Sequence, residues 1–343
     1  MNARPRVAVV GATGVVGTTM LEVLRDRDFP ASEIVPFASE RSAGRELDGG
    51  LVVRALSQGA DLSGFDLAIF SAGAARSREF APRFVDHGAV VIDNSSAFRR
   101  NPEIPLVVSE VNPHALARNN GLIANPNCST MALMVAIAPI HRAVGIERLV
   151  VSTYQSVSGT GRAAIDELDG QAHASLHGVP MPAPEIYPEP IGFNVIGAAG
   201  SFAEGDDYTD EERKMMFETR KILEDDGIGV SVTCVRVPVR VSHSLAVNVQ
   251  TREPLSASDA QQLVADAPGL TLDELPTPLK AEGRDDVLVG RIRDDASHPR
   301  ALNMWVVGDN LRKGAATNAI QIAELLVEAA ARSNDAQPAR AAS

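Results

Sequence analysis

One strand–turn–helix unit near the start of the chain restricts the possible folds more than any other segment. Residues 6–10 (RVAVV) form a short valine-rich run, which predicts a buried parallel strand. Gly11, Gly14 and Gly17 follow at G-x-x-G-x-x-G spacing, and residues 16–27 then repeat apolar side chains at helical intervals. Glycines at such a turn let the backbone approach a pyrophosphate, whose charge the helix N-terminus favours. The unit therefore predicts a dinucleotide site, although the same glycines could form a tight turn without a ligand.

Strand and helix patterns continue to alternate beyond this unit. Further strands are predicted at 34–38, 51–53, 66–70, 90–93 and 106–109, with a helix at 76–87. Alternation of this kind is typical of a doubly wound, Rossmann-like α/β sheet with helices on both faces. The first part of the chain is therefore predicted to be a nucleotide-binding domain.

The pattern changes near residue 128, which predicts a second domain. A helix at 130–144 precedes a Pro- and Gly-rich stretch at 178–200, a charged helix at 209–225, and strands at 230–242, 245–251, 287–293 and 301–310. Few crossover helices separate these strands, so we expect a mixed or antiparallel α+β domain for catalysis and dimerisation. A last helix at about 315–331 is expected to pack back on the first domain. The predicted division is 1–127 with 313–332, then 128–312, then a disordered tail at 333–343.

Composition excludes several classes of function. A chain of 343 residues is long enough for two domains, and its net charge of −12 would repel a nucleic-acid backbone. No apolar run approaches the roughly 20 residues that a membrane-spanning helix needs, and no signal-like segment precedes the first strand. Two cysteines make a disulfide scaffold improbable. We therefore expect a cytoplasmic protein with small-molecule substrates and a thiol that stays reduced.

The residues after the second predicted strand bear on the choice of dinucleotide. An acidic residue there often binds the ribose 2′-hydroxyl of NAD, whereas arginine accommodates the 2′-phosphate of NADP. Arg41 follows Ser39 and Glu40 and precedes Ser42, so NADP is favoured, with Glu40 as a competing ligand for a ribose hydroxyl. A third segment, Ser71 to Gly73, ends another predicted strand, where the second half of the cofactor would pass. The predicted cofactor contacts from the three segments are Gly11, Ala12, Thr13, Gly14, Val15, Ser39, Arg41, Ser42, Ser71 and Gly73.

Cys128 is the candidate nucleophile. It lies just before the helix predicted at 130–144, and a helix N-terminus favours the thiolate that attacks a carbonyl carbon. The alternative is a buried, inert cysteine, which is the commoner fate of an isolated cysteine. Cys234 lies inside a β-branched run, so it is assigned to packing.

His243 is the candidate acid/base for this nucleophile. It follows the β-branched run at 230–242, between two serines, where a neutral imidazole could take and return a proton near pH 7. His173 and His177 have the i, i+4 spacing of metal ligands on a helix. No third ligand is apparent nearby, so surface polarity is the preferred interpretation and no metal is predicted.

Several longer motifs resemble those of one enzyme family. The matching segments are Gly11–Gly14 (GATG), Asn94–Arg99 (NSSAFR), Asn125–Thr130 (NPNCST), Tyr154–Gly159 (YQSVSG), Cys234–Ser244 and Trp305–Asn310. Their order and spacing resemble aspartate-semialdehyde dehydrogenases of the bacterial type over residues 5–330. The resemblance implies an NADP-dependent, phosphorylating aldehyde dehydrogenase that works as a homodimer.

The resemblance also implies roles for individual residues. Cys128 would form the acyl thioester, Gln155 would orient the substrate, and His243 would be the acid/base. The implied substrate ligands are Arg236 for the carboxylate, Glu211 for the amino group, and Arg99, Asn127 and Lys214 for phosphate. The implied contacts on the nicotinamide side are Ser158, Gly159, Pro188 and Asn310. Without the resemblance, Glu211 and Lys214 would be an ordinary helix ion pair, and Arg236 would pair with a protein carboxylate.

The implied reaction is the reversible, NADPH-dependent reduction of L-4-aspartyl phosphate to L-aspartate 4-semialdehyde. It belongs to the biosynthesis of lysine (through diaminopimelate), threonine and methionine. Three alternatives remain open at this stage: another phosphorylating semialdehyde dehydrogenase such as N-acetyl-gamma-glutamyl-phosphate reductase, a non-catalytic relative of the fold, and a nucleotide-sensing Rossmann module.

Overall fold

The computed structural model describes residues 2–336, which form two compact units. The first unit contains the described residues up to Pro126 and those from Ala315 onward, and the second is Asn127–Gly314. Sequence analysis drew the first domain as 1–127 with 313–332, so its boundaries lie one and two residues away from these. No helix within the described range has the length and apolar character needed to cross a membrane.

The first unit contains the predicted doubly wound sheet. Its elements up to Pro126 are β1 (Arg6–Val10), α1 (Val15–Asp26), β2 (Glu33–Ala38), β3 (Glu46–Leu47), β4 (Leu51–Val52), β5 (Arg54–Ala55), β6 (Leu67–Phe70), α2 (Ala74–Asp86), β7 (Val90–Asp93) and β8 (Leu122–Ala124). One six-stranded sheet has the order β5-β2-β1-β6-β7-β8, with every pair parallel. Strand order reverses at β1, which confirms the Rossmann-like prediction.

The apolar run of β1 is continuous because both faces of the sheet are covered. Val7 and Val9 belong to one buried cluster, whereas Ala8 and Val10 belong to another. Successive side chains of a strand point to opposite faces, so this division follows directly from the strand period of two. A strand covered on both faces must be apolar at every position, which is why the sequence pattern identified it.

Two strand predictions in this unit require correction. Residues 106–109 are not a strand, and Leu106 forms only an isolated bridge. The Asn112 side chain accepts a hydrogen bond from the Val108 N–H and donates one to the Leu106 carbonyl, at 2.9 Å each. The backbone at 106–108 is therefore hydrogen-bonded to the Asn112 side chain. The edge strand of the sheet is β8, which was not predicted. The strand predicted at 51–53 pairs with β3 in a separate hairpin.

The second unit is built around a mixed sheet, as predicted. Its elements are α3 (Cys128–Val144), β9 (Ile146–Gln155), α4 (Arg162–His177), α5 (Asp210–Leu223), β10 (Gly229–Arg236), β11 (His243–Thr251), α6 (Ala257–Ala265), β12 (Leu270–Leu272), α7 (Pro278–Ala281), β13 (Val287–Asp294) and β14 (Ala301–Gly308). The strand order is β10-β9-β11-β14-β13-β12. The outermost pair at each edge is parallel, and the inner pairs are antiparallel.

The run predicted as one strand at 230–242 stops earlier than expected. β10 ends at Arg236 because Pro238 has no N–H to continue the ladder. The next residues turn back, and the carbonyls of Val239 and Arg240 accept hydrogen bonds from the loop after β9. This turn brings the chain to the start of β11. The sequence analysis did not predict α4, α6, α7 or β12.

The last helix belongs to the first unit. A π-helical turn, Arg312–Thr317, leads into α8 (Asn318–Ala336). Ala319, Ile320 and Ala323 of α8 share a buried cluster with β1 residues. Apolar burial against the parallel sheet therefore stabilises the helix at this position.

The end of α8 also bears on the predicted tail. Disorder was predicted from residue 333, whereas the helix continues to Ala336. Residues 337–343, the rest of the predicted tail, lie outside the described residues.

Candidate active site

The N-terminus of α3 carries the predicted nucleophile. Cys128 is the first residue of this helix, whereas sequence analysis placed the start at Thr130. The Asn127 side chain caps the helix, because its Oδ1 accepts hydrogen bonds from the Ser129 and Thr130 N–H groups at 3.0 and 3.3 Å. Cys128 therefore lies at the positive end of the helix dipole, which stabilises a thiolate.

A glycine packs directly against this cysteine. A Cβ atom placed on Gly314, in the π-helical turn, would lie 3.0 Å from the Cys128 Cβ and 3.4 Å from its Cα. Contacts this short leave no space for a side chain, so the turn fits against Cys128 only because residue 314 is glycine. Cys128 itself stays partly exposed.

His243 begins β11 and is buried beside the cysteine. Its Nε2 lies 3.2 Å from the Sγ of Cys128, so the structure brings together the two residues assigned to the chemistry. Its Nδ1 accepts a hydrogen bond from the backbone N–H of Ser156 at 3.0 Å. Burial and the charge of Arg236 lower the pKa of His243 to about 3, so the ring is neutral near pH 7.

Sheet register places three of the predicted residues at one end of the sheet. Gln155 ends β9 and pairs in parallel register with Arg236, which ends β10. β11 runs antiparallel to β9 and begins at His243, where Ser244 pairs with Tyr154. The ends of β9 and β10 and the start of β11 therefore lie at the same end of the sheet. The Gln155 side chain is buried and donates a hydrogen bond to Thr153 Oγ1 at 3.2 Å.

Arg236 is buried but has no carboxylate partner within residues 2–336, contrary to the alternative of a protein counter-charge. Its Nη1 donates to the Ser156 carbonyl at 2.7 Å, and its Nε is buried without a hydrogen-bond partner. The guanidinium carbon lies 5.7 Å from the ring centroid of Tyr187. A buried cation in this state is suited to bind an anion from outside the chain.

Gly159 lies between His243 and Arg236. A Cβ atom placed on it would lie 3.3 Å from His243 Nε2 and 3.6 Å from Arg236 Nη1. The sequence analysis assigned Gly159 to the nicotinamide side. The structure shows in addition that the missing side chain keeps open the space between the histidine and the arginine.

The charged residues of α5 connect to the cap of α3. Asn127 Nδ2 donates to Glu211 Oε2 at 2.8 Å, and its backbone N–H donates to Glu218 at 2.8 Å. Lys214 pairs with Glu211 and, at 2.9 Å, with Asp210. Burial alone would lower the pKa of Lys214, but these carboxylates outweigh it and raise the pKa. The pair is therefore a mostly buried part of the nucleophile's surroundings, not an isolated surface ion pair.

The other two charged residues in this stretch have different partners. Glu212 completes a capping box with Thr209, and its second carboxylate oxygen accepts the Cys234 N–H at 3.0 Å. Arg213 pairs with Asp206 at 2.5 Å. The helical register of α5 thus selects Glu211 and Lys214 as the residues that contact the Asn127 network.

The residues predicted on the nicotinamide side lie in two places within the second unit. Asn310 follows β14, and its Nδ2 donates to the Ser158 hydroxyl at 2.9 Å. Its Oδ1 accepts from the Ser242 N–H at 2.8 Å. Both serines and Asn310 are buried close to His243. Pro188 lies exposed in the loop between α4 and α5.

The glycine-rich loop of the first unit has the geometry of a pyrophosphate cradle. Gly11 has a φ of 87°, and a Cβ there would lie 2.3 Å from the Ser71 carbonyl oxygen. A Cβ on Gly17 would lie 2.0 Å from the Gly11 carbonyl oxygen. Gly14 is the N-cap of α1 and makes no side-chain hydrogen bond to the helix, so it does not occupy the first N–H groups of α1. These features fit a bound dinucleotide phosphate.

The second cofactor segment lies after β2. Glu40–Ser42 form one 3₁₀ turn that Ser39 caps, and Ser39, Glu40 and Arg41 are all exposed. Arg41 is therefore accessible to a ribose 2′-phosphate. The third segment follows β6, where Gly73 has a φ of 81° and is the N-cap of α2.

Arg99 is the predicted phosphate ligand of the first unit. It is buried, and its Nη2 donates to the Asn94 carbonyl at 2.9 Å. The same loop starts from Asp93, which accepts hydrogen bonds from the hydroxyls of Ser77 and Ser95 at 2.6 and 2.7 Å. Burial raises the pKa of the Asp93 carboxyl despite these bonds. Asp93 and its serines fix the loop that carries Arg99.

Two family models match most of the chain. One is described as semialdehyde dehydrogenase, NAD binding domain, over residues 6–119, and the other as semialdehyde dehydrogenase, dimerisation domain, over residues 137–313. The aspartate-semialdehyde dehydrogenase of Aquifex aeolicus is 50% identical over 334 residues, covering 94% of this chain and 98% of that protein. The enzyme of that name from Legionella pneumophila is 52% identical over 338 residues, covering 95% and 96%.

The chain belongs to the aspartate-semialdehyde dehydrogenase family. Two structures of aspartate semialdehyde dehydrogenase II from Vibrio cholerae, one of them complexed with ASA, match it with a TM-score of 0.92. They are 50% and 49% identical to it, and the matches cover 95% of this chain and 99% and 98% of theirs. The family resemblance found in the sequence is thereby confirmed.

Sequence reasoning missed several residues of this site. Tyr187 packs near Arg236 from a Pro-rich loop that carries no periodic pattern. Gly314 and Glu218 reach Cys128 and Asn127 only through the tertiary fold. The one sequence signal for Gly314 was its position next to the predicted start of the last helix.

The remaining cysteine is buried, and the paired histidines are exposed on α4. Burial raises the pKa of Cys234 to about 12, and its sulfur lies 3.8 Å from Met215 Sδ. This agrees with its assignment to packing. His173 and His177 stack on the surface of α4 with ring centroids 4.1 Å apart.

Replacing Gly159 by alanine tests whether the space between His243 and Arg236 is the substrate site. We expect kcat/KM for aspartate semialdehyde to fall by about 100-fold, because the new methyl group would displace the substrate or the ring. Steady-state kinetics measure this. Gly170→Ala in α4 is the matched control, because nothing lies within 4 Å of its added Cβ apart from its chain neighbours and the backbone of its own helix. Wild-type kinetics for Gly159→Ala would exclude this space as the substrate site.

Proposed function

We propose that this chain reduces L-4-aspartyl phosphate to L-aspartate 4-semialdehyde with NADPH, reversibly and through a thioester on Cys128. Curated relatives at about 50% identity are aspartate-semialdehyde dehydrogenases, which act in amino-acid biosynthesis. The observation that carries the proposal is the 3.2 Å approach of His243 Nε2 to Cys128 Sγ, beside the buried cation of Arg236. The nucleophile Cys128, the hydrogen-bond donor His243 and the anion-binding Arg236 thus lie side by side.

The proposed reaction uses the cysteine twice. In the biosynthetic direction, the Cys128 thiolate attacks the acyl phosphate carbonyl, and inorganic phosphate leaves as the thioester forms. When bound, NADPH supplies the hydride that reduces the thioester carbon. The oxygen on that carbon becomes an oxyanion, to which His243 Nε2 provides a hydrogen bond or a proton. Re-formation of the carbonyl breaks the C–S bond and returns the electron pair to Sγ.

Two charges are proposed to hold the amino-acid end of the substrate. The guanidinium of Arg236 would bind the α-carboxylate, because planar paired donors match a carboxylate. Glu211 would bind the amino group, since the substrate ammonium can share the carboxylate that now pairs with Lys214. A substrate without a free ammonium group would leave Glu211 without this partner.

Lys214 and Asn127 of the second unit are proposed as phosphate ligands, and Arg99 is proposed as the phosphate ligand of the first unit. The Asn127 amide has two hydrogens, and one of them is bonded to Glu211. Its second hydrogen has no acceptor among residues 2–336, so it is available to a phosphate oxygen. The same side chain would then contact the phosphate, the amine site and the helix that carries the nucleophile.

NADPH formation from L-aspartate semialdehyde, followed by its absorbance, tests the covalent route in the oxidative direction. We expect turnover that requires inorganic phosphate and falls to background in Cys128→Ala, because phosphate must release the acyl group from Cys128. Cys234→Ala is the control and should keep wild-type turnover, since its thiol is buried. Activity that survives in Cys128→Ala, or that prefers N-acetylglutamate semialdehyde, would overturn the mechanism or the substrate respectively.

We propose NADP as the preferred dinucleotide. The exposed Arg41, flanked by Ser39 and Ser42 on one turn, offers a positive charge and two hydroxyls at the end of β2. Glu40 on the same turn would repel a 2′-phosphate, so the preference depends on which side chain turns toward the ribose.

Arg41→Ala tests this preference. We expect KM for NADP to rise by about 10- to 100-fold, as for the loss of one charged hydrogen bond, with little change in KM for NAD. Arg45→Ala removes a nearby exposed arginine and should leave both constants unchanged. Equal effects of Arg41→Ala on both dinucleotides would contradict a role at the 2′-phosphate.

We propose that the chain forms a homodimer through its second unit. The family model that matches residues 137–313 is described as a dimerisation domain. Within this range Leu176, Phe193, Val195 and Phe202 are exposed by 73%, 63%, 60% and 58%. So many exposed large apolar side chains in one stretch are typical of a protein interface.

Sedimentation velocity tests the assembly. We expect twice the chain mass of 36.3 kDa for the wild type and a shift toward one chain for Phe193→Asp, because a buried charge would destabilise the interface. Val52→Asp, on an exposed valine of the first unit, should leave the dimer intact. A monomeric wild type would refute the proposal.

A further inference from the structure

An aromatic ring from the loop between α4 and α5 lies over the buried arginine of the site. The guanidinium carbon of Arg236 is 5.7 Å from the ring centroid of Tyr187. A guanidinium is planar and weakly hydrated, so its face packs favourably on an aromatic ring while its edge keeps the hydrogen-bond donors. Tyr187 therefore contacts Arg236 without using any of the donors that a carboxylate would need.

The donors of Arg236 are only partly used by the described chain. Nη1 donates to the Ser156 carbonyl at 2.7 Å, and Nε is buried without a hydrogen-bond partner among residues 2–336. One carbonyl and one ring thus fix the position of the guanidinium, and further donors stay available to a ligand.

A carboxylate of α4 fixes the backbone just before Tyr187. Glu167 Oε2 accepts hydrogen bonds from the N–H groups of Glu185 and Ile186 at 2.7 Å each. Hydrogen bonds to a charged acceptor are stronger than those between neutral groups. Glu167 therefore sets the direction in which the chain reaches position 187.

An amide one helical turn further along α4 fixes the backbone after Tyr187. Gln171 is fully buried, and its Oε1 accepts hydrogen bonds from the N–H groups of Ile191 and Gly192 at 2.7 and 2.9 Å. A Cβ atom placed on Gly192 would lie 2.7 Å from Gln171 Cβ, so this close approach requires glycine. Residues four apart share a helix face, so Glu167 and Gln171 hold the two ends of residues 185–192.

The same loop also pairs with the backbone of Arg236. The Ile196 N–H donates to the Arg236 carbonyl at 3.0 Å, and the Arg236 N–H donates to the Ile196 carbonyl at 2.8 Å. The loop that supplies the ring is therefore joined directly to the strand that supplies the guanidinium.

The ring of Tyr187 has two further contacts that fix it. It packs against a buried apolar cluster that includes Val157 and Ile165. Its hydroxyl donates to Thr160 Oγ1 at 3.1 Å, in the 3₁₀ turn that follows β9. Burial raises the pKa of the Tyr187 hydroxyl, so the ring is neutral near pH 7.

We propose that Tyr187 is a positioning residue that directs Arg236 at the α-carboxylate of the substrate and so favours aldehydes with a free carboxylate. The proposal rests on the proposed function, in which Arg236 binds this group. The ring keeps water from the guanidinium, and an ion pair shielded from water is stronger than an exposed one. Glu167 and Gln171 act on the substrate only through the position of the ring.

Replacing Tyr187 by leucine removes the ring but keeps an apolar side chain against the cluster. We expect KM for L-aspartate semialdehyde to rise by about 3- to 30-fold, as for the loss of one cation–π contact. The values of kcat, of KM for phosphate and of KM for NADP should stay within about twofold, because the ring acts on the carboxylate alone. An unchanged KM for the aldehyde, or a matching change in all four constants, would overturn the proposal.

A second aldehyde separates the carboxylate from the rest of the substrate. 3-Aminopropanal is aspartate semialdehyde without its carboxylate. We expect Tyr187→Leu to lower kcat/KM for L-aspartate semialdehyde and to leave that for 3-aminopropanal within about twofold. Tyr187→Phe keeps the ring and should resemble the wild type with both aldehydes. Equal losses with the two aldehydes would show that the ring has only a structural role.

Tyr208→Leu is the matched control. Its ring also lies over an arginine, with the Arg213 guanidinium carbon 4.4 Å from the ring centroid, but Arg213 pairs with Asp206 and has no proposed role in binding. This variant should keep the wild-type KM for the aldehyde. Glu167→Ala should show part of the Tyr187→Leu effect, whereas Glu167→Gln, whose amide oxygen can still accept both N–H groups, should keep the wild-type KM.

Carbon-13 NMR of tyrosine-labelled full-length protein tests the contact without substrate. The chain has three tyrosines, and the signals of Tyr187 are those that Tyr187→Phe removes. We expect Arg236→Lys and Glu167→Ala to shift these signals and Tyr208→Leu to leave them in place. Unchanged signals in Arg236→Lys would refute the contact whatever the enzyme catalyses. Shifted signals in a protein whose wild type does not turn over aspartate semialdehyde would refute only the proposed function.

Discussion

The position of the nucleophile depends on how one asparagine begins a helix. α3 is buried along most of its length, so the N–H groups at its start need partners within the protein. Asn127 supplies them through Oδ1, and it also donates to Glu211 and Glu218 of α5. The helix that presents Cys128 and the helix that presents the acidic residues are therefore joined at one side chain. A shift of either helix would move the nucleophile relative to the group proposed to bind the amine.

Local patterns in the sequence were sufficient where neighbouring residues alone determine the structure. β1, the turn at Gly11 and α1 are consecutive, so strand burial, glycine spacing and helical period could be recognised directly. Cys128 and His243 were identified because each residue type has chemistry that few others provide, at a strand or helix end. The family resemblance then suggested Arg236 and Glu211, for which isolated patterns allowed an ordinary ion pair.

The remaining features arise between residues far apart in the chain. Residues 106–109 have the composition of a strand, but Asn112 competes for their backbone hydrogen bonds. The ends of β9 and β10 lie beside the start of β11 because of the strand order in the sheet, which the pattern of each separate strand does not reveal. Gly314 and Asn310 contact Cys128 and the serines around His243 across more than 60 positions of sequence. A local sequence pattern does not reveal contacts between residues so far apart in the chain.

The contrast between the two cysteines gives the chain an internal reference. Cys234 is buried between the sheet and α5, with a pKa of about 12, whereas Cys128 is partly exposed. A thiol reagent applied to the folded chain therefore meets one accessible sulfur, and its stoichiometry counts intact sites. Labelling of a second sulfur would report opening of the second unit's core. In the wild-type chain, labelling of Cys128 thus reports the active site, and labelling of Cys234 reports unfolding.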